Sequence, residues 1–157
     1  MVIIQLKKLK ITIMKNSVKI FALAFSILFI AACSSNDDSS NGCEQCTYTV
    51  AQGETAATVS TPLIGEFNLT LGISQNGYDV PQGTKGKFTV SANEMIVEID
   101  GKQCITLKNP IKTSPVEYVF KDDCRDNLMY AISESNNGGL NEVNVITLSG
   151  SFIGQFK

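Results

Sequence analysis

Apolar and polar side chains alternate along most of the chain beyond residue 46. In the clearest run, Phe67, Leu69 and Leu71 alternate with more polar neighbours. Alternation with a period of two places one set of side chains on a core and the other set in water. The same period recurs in four later segments, residues 94–99, 116–121, 128–132 and 142–145. These segments predict β-strands with one buried face.

Turn-forming residues separate the predicted strands. Asn76-Gly77, Asp100-Gly101 and Asn109-Pro110 each interrupt the alternation, as does the polar segment 136–139. Asn, Asp, Gly and Pro are the residues that tight turns favour. No segment of this region repeats its apolar residues with the 3.6 period of an amphipathic helix. The sequence therefore predicts a single all-β domain of about seven to nine short antiparallel strands, arranged as a sandwich or a small up-and-down barrel.

One hairpin can be predicted in detail. Residues 94–99 and 102–107 flank Asp100-Gly101, a dipeptide that favours a two-residue type I′ turn. Such a turn would place Val97 opposite Cys104. Cys104 would then share the apolar face of Val97 and would point into the core.

Two distant segments are similar to each other, because residues 64–67 read Ile-Gly-Glu-Phe and residues 153–156 read Ile-Gly-Gln-Phe. So short a match arises easily by chance, and no internal repeat is inferred. Strands with similar patterns near the two ends of the domain could nevertheless be neighbours that close a barrel, since closure removes exposed edges.

The first 32 residues have the pattern of a secretory signal. Residues 1–32 contain five lysines and no acidic residue, and they end in an apolar run from Ile20 to Ala32. This run is shorter than the roughly 20 residues that a membrane-spanning helix needs, and a very polar segment follows it. We therefore predict a cleaved signal peptide over residues 1–32. Residues 14–19 already form a complete basic segment, which makes Met14 an alternative start of translation.

The motif Ile30-Ala31-Ala32-Cys33, at the end of the apolar run, resembles the lipobox of bacterial lipoproteins. Ile30 departs from the Leu that is commonest there. The resemblance implies that a diacylglycerol is attached to the Cys33 sulfur and that cleavage makes Cys33 the first residue of the mature protein. Residues 33–45 would then form a lipidated flexible tether, and residues 46–157 the β domain. Without lipidation, Cys33 would be a spare thiol in an exported protein.

The residues after Cys33 bear on location. In many diderm bacteria, Asp at the next position holds a lipoprotein in the inner membrane, whereas this chain has Ser34. The Ser, Asn and Asp residues of segment 34–40 also resemble the acidic export signals of surface lipoproteins. These resemblances imply an outer-membrane lipoprotein that is exposed at the cell surface. A periplasm-facing protein is the alternative.

The charge of the mature chain argues against one class of partner. Eight of the 13 basic residues and all 15 acidic residues follow residue 32, so the mature chain has a net charge of −7. Binding to nucleic acid requires lysine and arginine to neutralise phosphates. We therefore expect no nucleic-acid partner, and we expect attachment to the membrane through the lipid anchor.

Four cysteines follow Cys33, namely Cys43, Cys46, Cys104 and Cys124. An even number in an exported chain predicts two disulfides. A metal site is the alternative, because Cys43 and Cys46 have the spacing of zinc ligands, but the two later cysteines lie far apart in sequence. A redox-active pair would need a helix after Cys46, where the sequence predicts a strand. We favour long-range pairing of Cys43 and Cys46 with Cys104 and Cys124 over local Cys43–Cys46 and Cys104–Cys124 bonds.

The sequence lacks the residues of the common catalytic mechanisms. It contains no histidine, no glycine-rich phosphate loop and no nucleophile elbow. The densest acidic group, Asp122, Asp123 and Asp126, offers oxygen ligands for Ca²⁺ but lacks the calcium-loop pattern, so a solvated turn is favoured. Because there is no Trp, a sugar-stacking platform would have to use the four tyrosines, whose default role is core or rim packing. We predict no catalytic residue, no cofactor and no metal.

The expected function is that of a non-enzymatic, lipid-anchored envelope protein whose β domain binds a partner or stabilises an envelope assembly. A lipocalin-like carrier of a small apolar ligand is the alternative, because a barrel of about eight strands can hold one ligand. The chain is short for a carrier of that kind. An enzyme that uses carboxylates alone is the third interpretation.

Overall fold

A computed structural model describes residues 42–157, and these residues form an all-β domain, as predicted. The expected signal peptide over residues 1–32, the alternative start at Met14 and the lipidation site Cys33 lie outside the described residues. Residues 42–157 contain eleven strands and a 3-10 helix at Thr61–Leu63. The strands are β1 Glu44–Thr47, β2 Thr55–Ala56, β3 Gly65–Ser74, β4 Lys85–Val90, β5 Glu94–Ile99, β6 Ile105–Lys108, β7 Ile111–Lys112, β8 Glu117–Asp122, β9 Leu128–Glu134, β10 Leu140–Thr147 and β11 Phe152–Phe156.

The strands form one continuous sheet that curls into a half-barrel, in the order β1-β6-β5-β4-β3-β11-β10-β9-β8-β7-β2. The sheet changes partners within β3, because residues 65–70 pair with β4 and residues 71–74 pair with β11. The pairs are antiparallel except that β1 runs parallel to β6, which departs from the expected antiparallel sheet. β1 and β2 are close in sequence but lie at the two edges of the sheet, so the short connection between them joins one edge to the other.

The number of strands corrects the expectation of seven to nine. β2 and β7 contain only two residues each, which is too short to produce an alternating pattern. β6 and β7 follow each other along the chain, but Asn109 and Pro110 separate them. Asn109 has a φ of 63°, and Pro110 has no N–H to donate to a sheet. The turn that the sequence predicts at Asn109-Pro110 therefore separates two strands that lie at distant positions in the sheet. β1 also begins at Glu44, before the expected boundary at residue 46.

Aromatic side chains fill the inner side of the curled sheet. Phe88, Phe120, Tyr130 and Phe156 are almost completely buried. The rings of Phe88 and Phe156 meet edge to face, with centroids 5.1 Å apart and planes at 67°, an arrangement that aromatic pairs favour. Gly86 makes room for them, because a Cβ atom at this position would lie 2.9 Å from both rings. The core thus contains four buried rings, two of which are in direct contact.

The β5–β6 hairpin forms, but its register differs by one residue from the predicted register. Val97 pairs with Ile105 rather than with Cys104. A shift of one residue moves every side chain of a strand to the opposite face. Ile105 and Leu107 therefore take the core positions of β6, and both are fully buried. The prediction that Cys104 faces the core is wrong.

The physical reason is the type of turn. Gly101 has a φ of 80°, whereas the φ of Asp100 is not positive, and the N–H of Lys102 donates to the carbonyl oxygen of Ile99 at 2.9 Å. Positive φ at the third turn residue alone matches a type II turn, whereas type I′ needs it at both central residues. The hairpin loop is consequently one residue longer than expected.

The two strands with similar sequence patterns are neighbours. β3 and β11 pair in antiparallel fashion, with Gly154 opposite Ser74. The pairing uses the end of β3 rather than residues 64–67, and it lies in the middle of the sheet. The similarity therefore marked two neighbouring strands but not a closure between edge strands.

A smaller apolar cluster lies apart from the main core. Its buried members are Ile111, Val119 and Ala131. The partly buried side chains packed against them are Tyr48, Val50, Met129 and Ile146. Because Tyr48 and Val50 belong to the β1–β2 connection, this connection covers β7, β8 and β9 on the side away from the main core.

Candidate functional site

Two disulfides join the first strand to distant parts of the sheet. Cys43 pairs with Cys104 and Cys46 pairs with Cys124, across sequence separations of 61 and 78 residues. This is the long-range pattern that the sequence favours. β1 is an edge strand of four residues, so the two bonds hold the start of the domain onto the sheet. In the chain-entropy relation, each loop of this length contributes about 4 kcal/mol.

Cys46, rather than Cys104, is the core cysteine. Cys46 is completely buried and belongs to the main core, whereas Cys104 is partly exposed. Cys124, the disulfide partner of Cys46, is exposed in the turn between β8 and β9. The Cys46–Cys124 bond therefore links the interior of the domain to a surface turn.

The buried carboxylate of Asp122 organises the turn between β8 and β9. Its Oδ1 atom accepts hydrogen bonds from the backbone N–H groups of Cys124, at 3.3 Å, and Arg125, at 2.9 Å. Its Oδ2 atom accepts a bond from the N–H of Asp126, at 3.2 Å. These bonds compensate a side chain that is fully buried. The expectation of a solvated turn therefore holds for the exposed Asp123 and Asp126 but is wrong for Asp122.

Asp123, Cys46 and Cys124 come together with the spacing of metal ligands. The Asp123 Oδ1 atom lies 3.4 Å from Sγ of Cys46 and 3.7 Å from Sγ of Cys124. The two sulfur atoms are bonded to each other, however, whereas cysteine binds a metal ion as a free thiolate. The donor set of this cluster therefore does not fit a metal ion while the disulfide is intact.

Arg125 connects three parts of the domain. Its guanidinium donates to the backbone oxygen of Gln103 at 3.0 Å and to the carboxylate of Asp126 at 3.0 Å. It also lies 3.6 Å from the carboxylate of Glu44 on β1. The side chain is about one quarter exposed, so these contacts are only partly screened by water. Arg125 thus fixes the β8–β9 turn against the end of the β5–β6 hairpin.

A cavity of about 130 Å³ opens beside Arg125. Three chain segments surround it, namely residues 77–80, the hairpin residues 97–103 and residues 125–130, and Ile153 of β11 completes the lining. The first segment is held on the sheet by the N–H of Gln75, which donates to the carbonyl oxygen of Ile153 at 2.8 Å. This cavity combines apolar side chains with charged and hydroxyl groups.

The charged groups of the cavity are paired with one another. Lys102 donates to the carboxylate of Asp79 at 2.5 Å, and this hydrogen bond holds the pKa of Asp79 below its ordinary value. Arg125 is paired with Asp126 in the same way. Two cations and two anions therefore leave the cavity without a net charge.

Two tyrosines supply the hydroxyl groups of the cavity. The ring of Tyr78 packs against β11 because Gly154 has no side chain; a Cβ atom there would lie 3.0 Å from the ring. The hydroxyl of Tyr78 is buried and has no hydrogen-bond partner within residues 42–157. Burial raises the pKa of Tyr78 and of Tyr130 well above the ordinary tyrosine value, and nearby carboxylates raise both further. Both phenols are therefore protonated and neutral at physiological pH.

A second polar cluster anchors the β1–β2 connection. The hydroxyl of Tyr48 donates to Glu54 at 2.7 Å, Lys121 of β8 donates to both, and the backbone N–H of Ala51 donates to Glu54 at 2.9 Å. The bond from Lys121, with those from Tyr48 and Ala51, lowers the pKa of Glu54 from the ordinary 4.5 to about 2. The Lys121 ammonium also lies 4.6 Å from the centre of the Tyr48 ring. These contacts add a polar attachment to β8 to the apolar packing of the same connection.

The sequence identified the four paired cysteines but not the cavity. Tyr78, Lys102 and Arg125 come from three separate segments and have no common motif, so only the fold brings them together. The sequence predicts core or rim packing for Tyr78 and Tyr130, which describes their burial but not the unpaired hydroxyl of Tyr78. The unsatisfied polar atom is visible only in three dimensions.

The chain matches no protein-family model, no curated protein and no solved structure. Within residues 42–157, no helix has the length and apolar character that crossing a membrane requires. The function must therefore be inferred from the residues of the chain itself.

Proposed function

We propose that this chain is a lipid-anchored envelope protein of a bacterium, and that its β domain is a non-catalytic module for binding or interaction. In this proposal Cys33 carries the lipid, residues 1–32 are removed, and the domain lies at the outer membrane. The domain would be exposed at the cell surface, and exposure to the periplasm is the alternative.

The observation that best supports this proposal is that two disulfides hold the first strand of the domain. Cys43 and Cys46 follow Cys33 closely in sequence, and each is bonded to a distant part of the sheet. A domain held at its N-terminus transmits any pull on the lipid anchor to its first strand. Here that strand is an edge strand of four residues, whose backbone hydrogen bonds alone would separate easily. The two disulfides on β1 would resist such a pull, and disulfides suit an exported protein.

The proposal of a binding module is supported by the mixed cavity beside Arg125. Binding sites are commonly concave, with an apolar lining and a few polar groups that orient the ligand. The alternative, a lipocalin-like carrier of a small apolar ligand, is less well supported, because Phe88, Phe120 and Phe156 occupy the inner side of the sheet. A non-catalytic role is supported by the sequence, which contains no histidine as a general base.

Metabolic labelling with an alkyne fatty acid tests the anchor. The wild-type chain, expressed in a diderm bacterium, should incorporate the label and remain in the membrane fraction. Cys33→Ser should abolish both properties, whereas the control Ser34→Ala should retain the label. Label that persists on the Cys33→Ser chain would refute lipidation at this residue. Protease added to intact cells then tests exposure, since degradation supports the surface location and protection supports the periplasmic one.

A further inference from the structure

One hydroxyl group of the cavity beside Arg125 makes no hydrogen bond to the described residues. The Tyr78 oxygen is buried and has no hydrogen-bond partner within residues 42–157. Leaving such a group unpaired is costly, and most buried polar atoms in proteins are satisfied. Tyr130, which is 2% exposed, lines the same cavity and supplies a second phenol. Two adjacent phenols can each donate and accept a hydrogen bond.

The charge of the cavity limits what those phenols can bind. The charges of the cavity form two ion pairs, Lys102 with Asp79 and Arg125 with Asp126, so their sum is zero. A charged ligand would have to break one of these pairs or remain unpaired in a partly buried site, which is costly. An anionic ligand would also be repelled by a mature chain of net charge −7. The cavity therefore favours a neutral ligand.

The remaining lining limits the shape of the ligand. Val80, Val97, Ile99, Leu128 and Ile153 form apolar walls beside the tyrosines and the paired charges. The volume, about 130 Å³, is close to that of engineered cavities of about 150 Å³ that take up one benzene ring. A fitting ligand thus has one six-membered ring, with C–H groups on one side and hydroxyl groups on another.

We propose that the cavity binds one ring of a neutral sugar, either free or at the end of a glycan chain. The C–H face of the ring would pack on the aliphatic walls, and its hydroxyls would bond to Tyr78 and Tyr130. The outer atoms of Asp79 and Asp126 can accept further hydroxyl groups at the opening. This inference rests on the proposed binding role and names the class of ligand for it.

Saturation-transfer difference NMR on the exported protein, purified with its own N-terminus and both disulfides intact, tests the proposal. The probes are glucose, galactose, mannose and N-acetylglucosamine. Two charged relatives of glucose, glucuronate and glucosamine, keep the ring but add a charge. Maltotriose distinguishes the end of a glycan from a free sugar, because tighter binding of the trisaccharide indicates a chain end. We expect saturable binding of at least one neutral sugar, with a Kd of about millimolar order.

Variants of the two tyrosines locate the binding. Tyr78→Phe and Tyr130→Phe should each weaken binding at least about fivefold, because each removes one hydrogen bond of about 1 kcal/mol. Tyr118→Phe, which alters a buried tyrosine outside the cavity lining, should change the Kd less than twofold. The charged relatives should bind at least about fivefold more weakly than glucose.

The outcomes separate this inference from the proposed function. If no neutral sugar binds saturably, or if Tyr78→Phe binds as the wild type does, the sugar site is refuted. If only a charged relative binds and Tyr78→Phe removes that binding, the neutral class is wrong while the binding role stands. Conversion of any sugar to a new product during the experiment would contradict the non-catalytic role itself.

Discussion

The carboxylate of Asp123 lies 3.4 Å from the buried sulfur of Cys46 and 3.7 Å from the exposed sulfur of Cys124. A disulfide is reduced when a thiolate, which is an anion, attacks one of its sulfur atoms. Because Cys46 is buried, attack must occur at Cys124, next to the negative charge of Asp123. We infer that Asp123 slows reduction of the bond that ties β1 to the β8–β9 turn.

Asp123→Asn should therefore accelerate reduction of Cys46–Cys124 by glutathione about threefold to fivefold at low ionic strength. Two unit charges 4 Å apart in water interact by about 1 kcal/mol, which corresponds to a factor of this size. Timed alkylation with peptide mapping measures the rate. The Cys43–Cys104 bond of the same molecule is the control and should be unaffected. In 1 M salt the difference should fall below about twofold, because the screening length is then about 3 Å. Equal rates at low salt would disprove the inference.

Glu54→Gln should destabilise the domain in a manner that depends on pH. The folded pKa of Glu54, about 2, lies below the ordinary 4.5, so its ionised form stabilises the fold above pH 4.5. That contribution is lost as the pH falls from about 5 towards 2. We expect Glu54→Gln to lower the free energy of unfolding by about 1–2 kcal/mol at pH 7 and by progressively less below pH 5.

Urea unfolding at a series of pH values measures this difference. Glu98→Gln is the matched control, because Glu98 contacts Lys87 in an exposed pair on another part of the sheet. Its effect should stay below about 0.5 kcal/mol at every pH. A Glu54→Gln effect that remains constant from pH 7 to pH 3 would contradict the role given to the ionised carboxylate.

Gly86→Ala should destabilise the domain by about 1–3 kcal/mol. The added Cβ atom would lie 2.9 Å from the rings of Phe88 and Phe156, and both rings are enclosed by the core. Gly72→Ala is the control, since the nearest atom to its Cβ would be the Gln155 backbone oxygen, at 3.9 Å. Thermal or urea unfolding compares the two. Equal effects of the two substitutions would show that the contact of the two rings does not depend on the glycine.

The periodicity of the chain is sufficient for the fold class but not for strand register. Alternation reveals which faces are apolar, and so β3, β5, β8 and β9 could be located from it. The register of β5 against β6 depends on one turn, and Asp100-Gly101 is compatible with more than one turn type. The type II turn adds one residue to the loop, and this moved Cys104 from the core face to the outer face.

The candidate site shows a different limit of sequence reasoning. The pairing of the cysteines could be favoured beforehand, because long loops constrain the unfolded chain more than short ones. The cavity could not be foreseen, because Tyr78 and Arg125 are distant in sequence and are brought together by the curl of the sheet. Asp122 was misjudged for a related reason, since a carboxylate that accepts backbone N–H groups from its own turn looks in sequence like any other acidic residue.

Mass spectrometry of the N-terminal peptide tests the proposed lipoprotein most directly. The protein would be purified from membranes of a diderm bacterium that expresses the full chain, and the peptide identified without prior reduction. We predict that the mature protein begins at Cys33 and that this residue carries the mass of a diacylglycerol on its sulfur. A mature protein that begins at another residue, or that carries an unmodified Cys33, would contradict the lipid anchor.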